Sequence, residues 1–441
     1  MFDYFFHILD SLVAAFTLNV SWDMLFSTYW FLFFIEFPRY YLLEIITAVR
    51  FKFDYKKRIR RYEQARHMLH IENPLVTILA PGKNEGKHIF KLVQSLREQT
   101  YRNFEIIIVD DGSDDATPII CKDLEQAGYI DLFLRCRVRG GKASAANYGA
   151  YFARGKYIVH LDADSSLDRD AIEKILVPFY YDKRIKAVGG CVKVRNADES
   201  LCTSMQALEY LKTIQVGRMV TNQLGIYHII SGAFGAFETK TLRQLGGWDI
   251  GPGLDGDITQ KIRKGGHKVW FAEDAICMTS VPVKWYALFK QRKRWSKSLV
   301  RFRIRKHKDI LMPNRNFSFL NFFSNFECIL YDCVFNYLWL FYILGLLFKF
   351  PEHLPEIFVM GWIIRLFFSI CAFGVIMLIS ERSREEWYLV RYLGLNTFYT
   401  GWFLRMTRLI AHTREIFFFS SYKDAWNPRK LQSWLKWKEY N

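Results

Sequence analysis

The sequence predicts an α/β domain, built on a mostly parallel, doubly wound sheet, set between the transmembrane helices of a multi-pass membrane protein. Three observations predict it. From residue 76 onward, short apolar runs alternate with helix-length amphipathic stretches, the pattern of parallel strands joined by crossover helices. Long apolar and aromatic stretches flank that region on both sides. Clusters of Lys and Arg lie next to those stretches and give the chain a formal charge of +17, as expected where protein meets anionic headgroups. With 441 residues, 51% of them hydrophobic, there is material for two or three domains.

In chain order, residues 1–49 hold N-terminal transmembrane or interfacial helices. Residues 24–49 exceed the ~20 needed to cross a bilayer, although they include Glu36, Arg39 and Glu44. Glu36 and Arg39 are three apart, so one helix face pairs them. Residues 1–20 form a weaker span or an interfacial helix, and Asp3 and Asp10 with no basic start argue against a cleaved signal. Residues 50–75 are a basic linker, with Arg50, Lys52, Lys56, Lys57, Arg58, Arg60 and Arg61, which places this end in the cytoplasm.

Residues 76–283 are the α/β unit. Strands are expected at 76–80, 105–109, 157–161 and 187–194, with a further apolar segment at 132–134. Helices are expected at 87–99, 115–127, 143–152 and 168–179. Residues 284–325 read as interfacial amphipathic helices, led by a strongly basic helix over 284–308. Residues 326–411 hold C-terminal transmembrane helices: 334–348 is the cleanest apolar core, and 357–380 spans despite Arg365. Residues 387–410, with Arg391, Arg405 and Arg408, are an interfacial helix or a fifth crossing, four being the first expectation. Residues 412–441 form a basic cytoplasmic tail. Glu36, Arg39 and Arg365 either line a channel or pair helices.

The chemistry gathers at predicted strand ends. Tyr157–Leu161 is followed by Asp162 and Asp164, whose i, i+2 spacing converges two carboxylates at the sheet edge where open α/β sheets bind ligands. Two hard oxygen ligands suit Mg²⁺ or Mn²⁺. Asp110 and Asp111 end another strand and can accept hydrogen bonds from a base or ribose. Gly140-Gly141-Lys142 offers free backbone N–H groups and an ammonium at a helix start, which suits phosphate. Asp255 and Asp257 lie in a turn that opens a helix. Gln291, Arg294 and Trp295, at i, i+3 and i+4, share one face of the basic helix. Singly, each feature is more readily a capped turn or a surface helix. Their succession in one chain points to a nucleotide-diphosphate enzyme. Eight scattered cysteines without a Cys-x-x-Cys pair argue against both a disulfide framework and a zinc site. The basic charge adjoins bilayer-like stretches, and no recognition module is visible, so a nucleic-acid polymer is not the expected partner.

These motifs resemble the processive family 2 glycosyltransferases, the cellulose, hyaluronan, chitin-oligosaccharide and poly-N-acetylglucosamine synthases. The resemblance covers residues 76–297 and rests on Val109-Asp-Asp-Gly-Ser113, Gly141-Lys142, Asp162-Ala-Asp164, Ser231-Gly232, Leu254-Asp255 and Gln291-Arg-Lys-Arg-Trp295. It implies a GT-A type fold and a UDP-sugar donor. It places Asp111 at the uracil or ribose, Lys142 at the nucleotide, Asp162 beside the ribose and diphosphate, and a divalent metal on Asp164. The loop residues Pro81, Asn84 and Glu85 join the nucleotide-sugar contacts, and Arg294 steadies the diphosphate. Asp255 takes the general-base position, and Ser231, Gly232, Gln291 and Trp295 the acceptor side, with Trp295 as a floor for the terminal sugar. The family's Thr-Glu-Asp reads Gly253-Leu254-Asp255 here, which leaves the acceptor open and leaves Asp257 as a second candidate base.

The implied activity is inverting, processive polymerisation of an exopolysaccharide coupled to export, at a bacterial inner membrane with the catalytic domain in the cytoplasm. Transfer to a lipid-phosphate or oligosaccharide acceptor is the alternative, and a nucleotide-sensing membrane protein with a degenerate site is another. A small accessory subunit or cyclic di-GMP is a further expected partner, with the arginines around 301–305 and 405–414 as the anion site.

Overall fold

A computed structural model describes residues 22–249, 251, 253–314 and 317–423. The span expected at 1–20 and the tail beyond 423 lie outside the described residues. The chain divides into two compact units, Met1–Phe53 with Leu330–Leu409, and Asp54–Ile329 with Ile410–Asn441.

The second unit is built on eight strands: β1 (Val76–Gly82), β2 (Phe104–Asp110), β3 (Leu132–Arg135), β4 (Tyr157–Leu161), β5 (Ser166–Leu167), β6 (Ile185–Val194), β7 (Phe234–Glu238) and β8 (Lys268–Thr279). They form one sheet in the order β3-β2-β1-β4-β7-β6-β8-β5. On one side, β3, β2, β1 and β4 are all parallel. On the other, β7 runs antiparallel to both β4 and β6, and β5 antiparallel to β8, while β6 and β8 are parallel. The sheet is therefore mixed, where the sequence predicts a mostly parallel one.

The strands of this half are poorly marked in the sequence. The 231–237 stretch alternates small residues with Phe and carries no long apolar run, so it does not announce itself as a strand. In β8 the apolar run is broken by Glu273 and Asp274. The register with β6 jumps there, from Gly190 opposite Ala272 to Cys191 opposite Ile276, so both acids sit in an irregularity rather than in the ladder. Tyr62, on the long helix Tyr55–Glu72, donates its hydroxyl to the Lys174 carbonyl, and Arg66 of that helix pairs with Glu173.

The core under the sheet is aliphatic, with Ile78, Val159, Leu161, Ile172, Ile175 and Ala236 essentially inaccessible. Each large aliphatic side chain so buried contributes about 1.5–3 kcal/mol. This packing fixes the C-terminal edge of the parallel strands. Gly82 is in register with Asp110, so the loops after β1 and β2 lie side by side. Because β7 is antiparallel, its first residue Phe234 sits opposite Leu161 at that same edge. A parallel strand there would carry its start, and the Ser231-Gly232 turn before it, to the far edge of the sheet.

In the first unit, residues 22–53 are helical, with π-helical turns at Leu32–Glu36 and Pro38–Leu42. Among the described residues, two helices are long and apolar enough to cross a membrane, Phe319–Lys349 and Pro351–Ile379. The expected span over 24–49 does not meet that measure, and residues 387–410 are broken into a 3-10 turn, a short α-helix and a π-helix before Leu404–Phe418. Glu36 accepts hydrogen bonds from Arg365 at 3.1 Å and from Arg405. Arg39 lies over the rings of Tyr40 and Tyr331. These contacts match the helix-pairing alternative for the charged residues.

Candidate functional site

Three of the predicted acids, Asp162, Asp164 and Asp255, converge on one lysine, Lys142. Asp162 and Asp164 follow β4. Lys142, the first residue of the helix Lys142–Phe152, donates its ammonium to Asp162 Oδ1. Burial disfavours the lysine's charge, but the carboxylates of Asp162, Asp255 and Asp164 outweigh it and raise its pKa. One ammonium thus senses both the β4 pair and the aspartate that opens the helix Leu254–Lys264.

Asp255 is held by Gly232, whose backbone N–H hydrogen-bonds the carboxylate. A Cβ on Gly232 would lie 2.4 Å from Asp255 Oδ1, so a side chain at that position would displace the carboxylate. The Gly232 carbonyl in turn accepts from His160 Nδ1 at 2.8 Å. His160, in β4, is buried, and burial followed by the Lys142 charge lowers its pKa to about 3, so the ring stays neutral. Burial raises the Asp255 pKa. Lys142 opposes that rise, Asp162 adds to it, and the Gly232 N–H and Arg218 oppose it.

Asp257, two residues on, is in the opposite state. Lys306 Nζ donates to its Oδ2 at 2.7 Å, and His307 Nε2 lies 2.8 Å from its Oδ1. Burial alone would raise its pKa, but the His307 hydrogen bond and the Lys306 charge hold it down to about 2. Both its oxygens are committed to the protein. This removes the room left for Asp257 as a base, and Asp162 rather than Asp257 is the carboxylate that raises Asp255.

After β2, Asp111 is turned inward. Its Oδ1 accepts from the Gly140 N–H at 2.7 Å and its Oδ2 from the Gly141 N–H at 2.9 Å. The glycine N–H groups expected to be free for phosphate are thus spent on Asp111, which fixes the turn that presents Lys142. Burial raises the Asp111 pKa, and those two N–H bonds pull against it. Asp110 accepts from the Ser113 N–H at 2.9 Å and faces Arg135. Pro81 is buried in β1 opposite Val109. Asn84, with φ of 61°, receives the Asp114 N–H on its Oδ1 and gives its own N–H to Ser113 Oγ, joining the loops after β1 and β2. Glu85 is pushed up to about 7, by burial first and then by the charges of Asp164 and Asp162.

The Asp162–Asp164 turn is braced by Arg195, which donates Nη1 to the Asp164 carbonyl at 3.2 Å and Nη2 to the Met278 carbonyl at 2.7 Å. Burial and the neighbouring Asp162 raise the Asp164 pKa. The crowded carboxyls fit a divalent cation, whose charge would relieve that repulsion. Among the described residues no three His, Cys, Asp or Glu side chains are gathered as a ready ligand set. Mg²⁺ characteristically takes one or two carboxylates and completes its shell with water and substrate phosphate, and Asp164 with Asp162 is the pair that fits.

The basic helix runs over Trp285–Leu299 and continues as a π-helix over Val300–Lys306. Its Gln291, Arg294 and Trp295 stripe extends by helical spacing to Ser298, whose Cβ would lie 2.7 Å from a Cβ on Gly253. The stripe therefore leads to the turn that carries Asp255. Trp295 is 43% exposed, and the Arg292 guanidinium lies 4.2 Å from its ring centroid. Arg292 also pairs with Glu209 at 2.8 Å, which anchors the helix. Gln291 Oε1 is buried without a hydrogen-bond partner among the described residues. Ser231 Oγ accepts from the Ala233 N–H at 3.4 Å and so belongs to the turn before β7.

Sequence reasoning missed His160, Arg195 and Arg218. His160 lies inside an apolar strand, where alternation predicts only burial. Arg195 and Arg218 reach the site from the residue after β6 and from the helix Gly217–Gln223, lie outside every motif, and carry no short-range signal. The arginines near 301–305 expected to bind an anionic dinucleotide are engaged within the chain: Arg301 lies over Tyr422, and Arg305 pairs with Glu415.

Residues 77–244 match the family described as glycosyl transferase family 2. Poly-beta-1,6-N-acetyl-D-glucosamine synthases from Staphylococcus aureus strain COL (31% identical over 223 residues) and Staphylococcus epidermidis (30% over 222) cover 50% of this chain. The chain spans about half the length of these curated relatives, 53% in each case. Among solved structures, a mannosyltransferase from Pyrobaculum calidifontis, in complex with GDP-Man and Mn²⁺, superposes with a TM-score of 0.54 at 21% identity over 85% of this chain and 99% of that one. The mixed sheet is that of a GT-A type fold, and residues 77–244 of this chain are similar to glycosyl transferase family 2.

Proposed function

We propose that the chain is a membrane-embedded, inverting glycosyltransferase that extends a polysaccharide processively from a UDP-linked sugar and couples synthesis to export. N-acetylglucosamine is the first donor to test, since it is the sugar in the names of the Staphylococcus relatives. The two apolar helices support membrane attachment, with the catalytic unit on the cytoplasmic side of a bacterial inner membrane.

The observation that carries this reading is the contrast between Asp255 and Asp257. Groups whose environments push their pKa values apart divide the labour of a site. Asp257 is tied down as a structural ion, whereas Asp255 is raised and faces Lys142 and Asp162. Asp255 therefore takes the proton from the acceptor hydroxyl. The hydroxyl oxygen bonds to the anomeric carbon, and the bond from that carbon to the diphosphate breaks, leaving its electron pair on the diphosphate. Lys142 and Arg294 stabilise that leaving charge. Mg²⁺ or Mn²⁺ held by Asp164 and Asp162 supplies further charge neutralisation when bound. Trp295 offers the open part of its indole to the acceptor sugar, and Gln291 its unpartnered oxygen.

The test is UDP release and polymer formation in membranes supplied with UDP-N-acetylglucosamine and Mg²⁺ or Mn²⁺, using wild type and Asp255→Asn. The expected result is metal-dependent polymer from wild type and none from the variant. Failure of every UDP-sugar to release UDP would contradict the reading.

A further inference from the structure

We infer that Arg301 is a positioning residue for the Asp255 turn, and that the 410–423 segment is the strap that keeps it in place. The inference rests on the role proposed for Asp255.

The turn is laid on one helical surface. Arg301 and Phe302 in the π-helix Val300–Lys306 are 4% and 3% exposed. A Cβ on Gly251 would lie 2.1 Å from Arg301 Nη1, and one on Gly256 would lie 2.2 Å from Phe302 Cζ. Backbone this close to side chains takes its path from them. Lys306, at the end of the same π-helix, holds both ends of the turn by pairing with Asp249 and Asp257. The catalytic turn is thus shaped by Arg301 at its middle and Lys306 at its ends.

Arg301 is held from behind. Its guanidinium carbon lies 5.2 Å from the Tyr422 ring centroid, so the group sits between an aromatic face and the Gly251 backbone. Tyr422 is presented by a sharp reversal in which Phe419 adopts φ of 51°. Glu415, fully buried, closes that reversal by accepting the Ser421 N–H and hydroxyl, each at 2.7 Å. The same carboxylate receives Arg305 Nη1 at 2.8 Å, while the Arg305 guanidinium carbon lies 4.0 Å from the Phe419 ring centroid. Glu415 therefore joins the strap to the π-helix and aims Tyr422 at Arg301. None of these contacts touches Asp111, Lys142 or Asp162, so loosening the strap should disturb the base and spare donor binding.

The experiment uses the full chain in membranes or detergent, with Tyr422→Ala, Glu415→Gln and the conservative Tyr422→Phe. For Tyr422→Ala and Glu415→Gln, kcat should fall about tenfold, as a small misplacement of a reacting group predicts. KM for the UDP-sugar should stay within about twofold. Hydrogen exchange should accelerate in the peptide containing Asp255 and stay unchanged in peptides from β1 to β4, while Tyr422→Phe behaves as wild type. If Tyr422→Ala does not accumulate, Tyr422→Leu is read in the same way. Wild-type kcat with wild-type exchange near Asp255 would overturn the inference, as would equal losses of kcat and donor affinity. Retained transfer in Asp255→Asn would instead overturn the role of Asp255, while the exchange measurement would still decide whether the strap shapes the turn.

Discussion

The two halves of the sheet contribute to the site in different ways. In the parallel half, β1, β2 and β4 end at one edge and deliver Glu85, Asp111 and the Asp162–Asp164 pair from loops directly after the strands. In the other half, Asp255 follows no strand. It opens a helix, is hydrogen-bonded by the turn before the reversed strand β7, and is shaped by side chains some fifty residues further on. The proposed donor site is thus built from local βα turns, and the proposed catalytic turn from long-range packing. The first should tolerate distant mutation, whereas the second should be sensitive to it.

Predictions follow from that contrast, largest effect first. Asp164→Asn strikes the donor half at its metal pair, and transfer should fall by about 10²–10³-fold. The loss should be partly relieved at high Mn²⁺, read as UDP release against metal concentration. Trp295→Ala leaves both halves intact and removes the surface offered to the acceptor. It should shorten the polymer and lower the rate by about tenfold, with UDP affinity unchanged. Unchanged polymer length and rate would remove Trp295 from the acceptor side.

Asp257→Asn tests the packed half through stability. Its folded pKa, about 2, lies below the ordinary value of 3.8, so its contribution is present above about pH 4 and lost as pH falls toward 2. The variant should lose about 2 kcal/mol near neutral pH. It should also lose less stability than wild type between pH 4 and pH 2, checked by thermal unfolding across that window. Glu85→Gln should give the smallest effect. The folded pKa of Glu85 is raised from 4.5 to about 7, so the folded state favours the protonated form and stability declines as pH rises from about 4.5 to 7. The variant should flatten that decline in metal-free protein, without altering the acid limb set by Asp257.

The same contrast explains what the sequence could show. The parallel half was legible because its strands are continuous apolar runs, such as Tyr157–Leu161, and its acids sit at fixed offsets after them. Helix starts were legible too, since Gly253 before Leu254 and Gly141 before Lys142 mark them. β7 and β8 were not, because small residues dilute the first, and the second carries Glu273 and Asp274 in a register break. The inward role of Asp111 was hidden for another reason. A spacing places a carboxylate near a turn but does not say whether it faces ligand or accepts the turn's own N–H groups. The separation of Asp255 from Asp257 depends on Lys306 and His307, which no local pattern links to them.

The most direct test compares Asp255→Asn and Asp257→Asn side by side, measuring transfer and UDP-sugar affinity in folded protein at low temperature. Asp255→Asn should bind the donor as wild type does and lose transfer by about 10²–10⁴-fold, while Asp257→Asn keeps substantial turnover. Full turnover in Asp255→Asn, or loss of turnover confined to Asp257→Asn, would contradict the assignment of Asp255 as the base at the donor site.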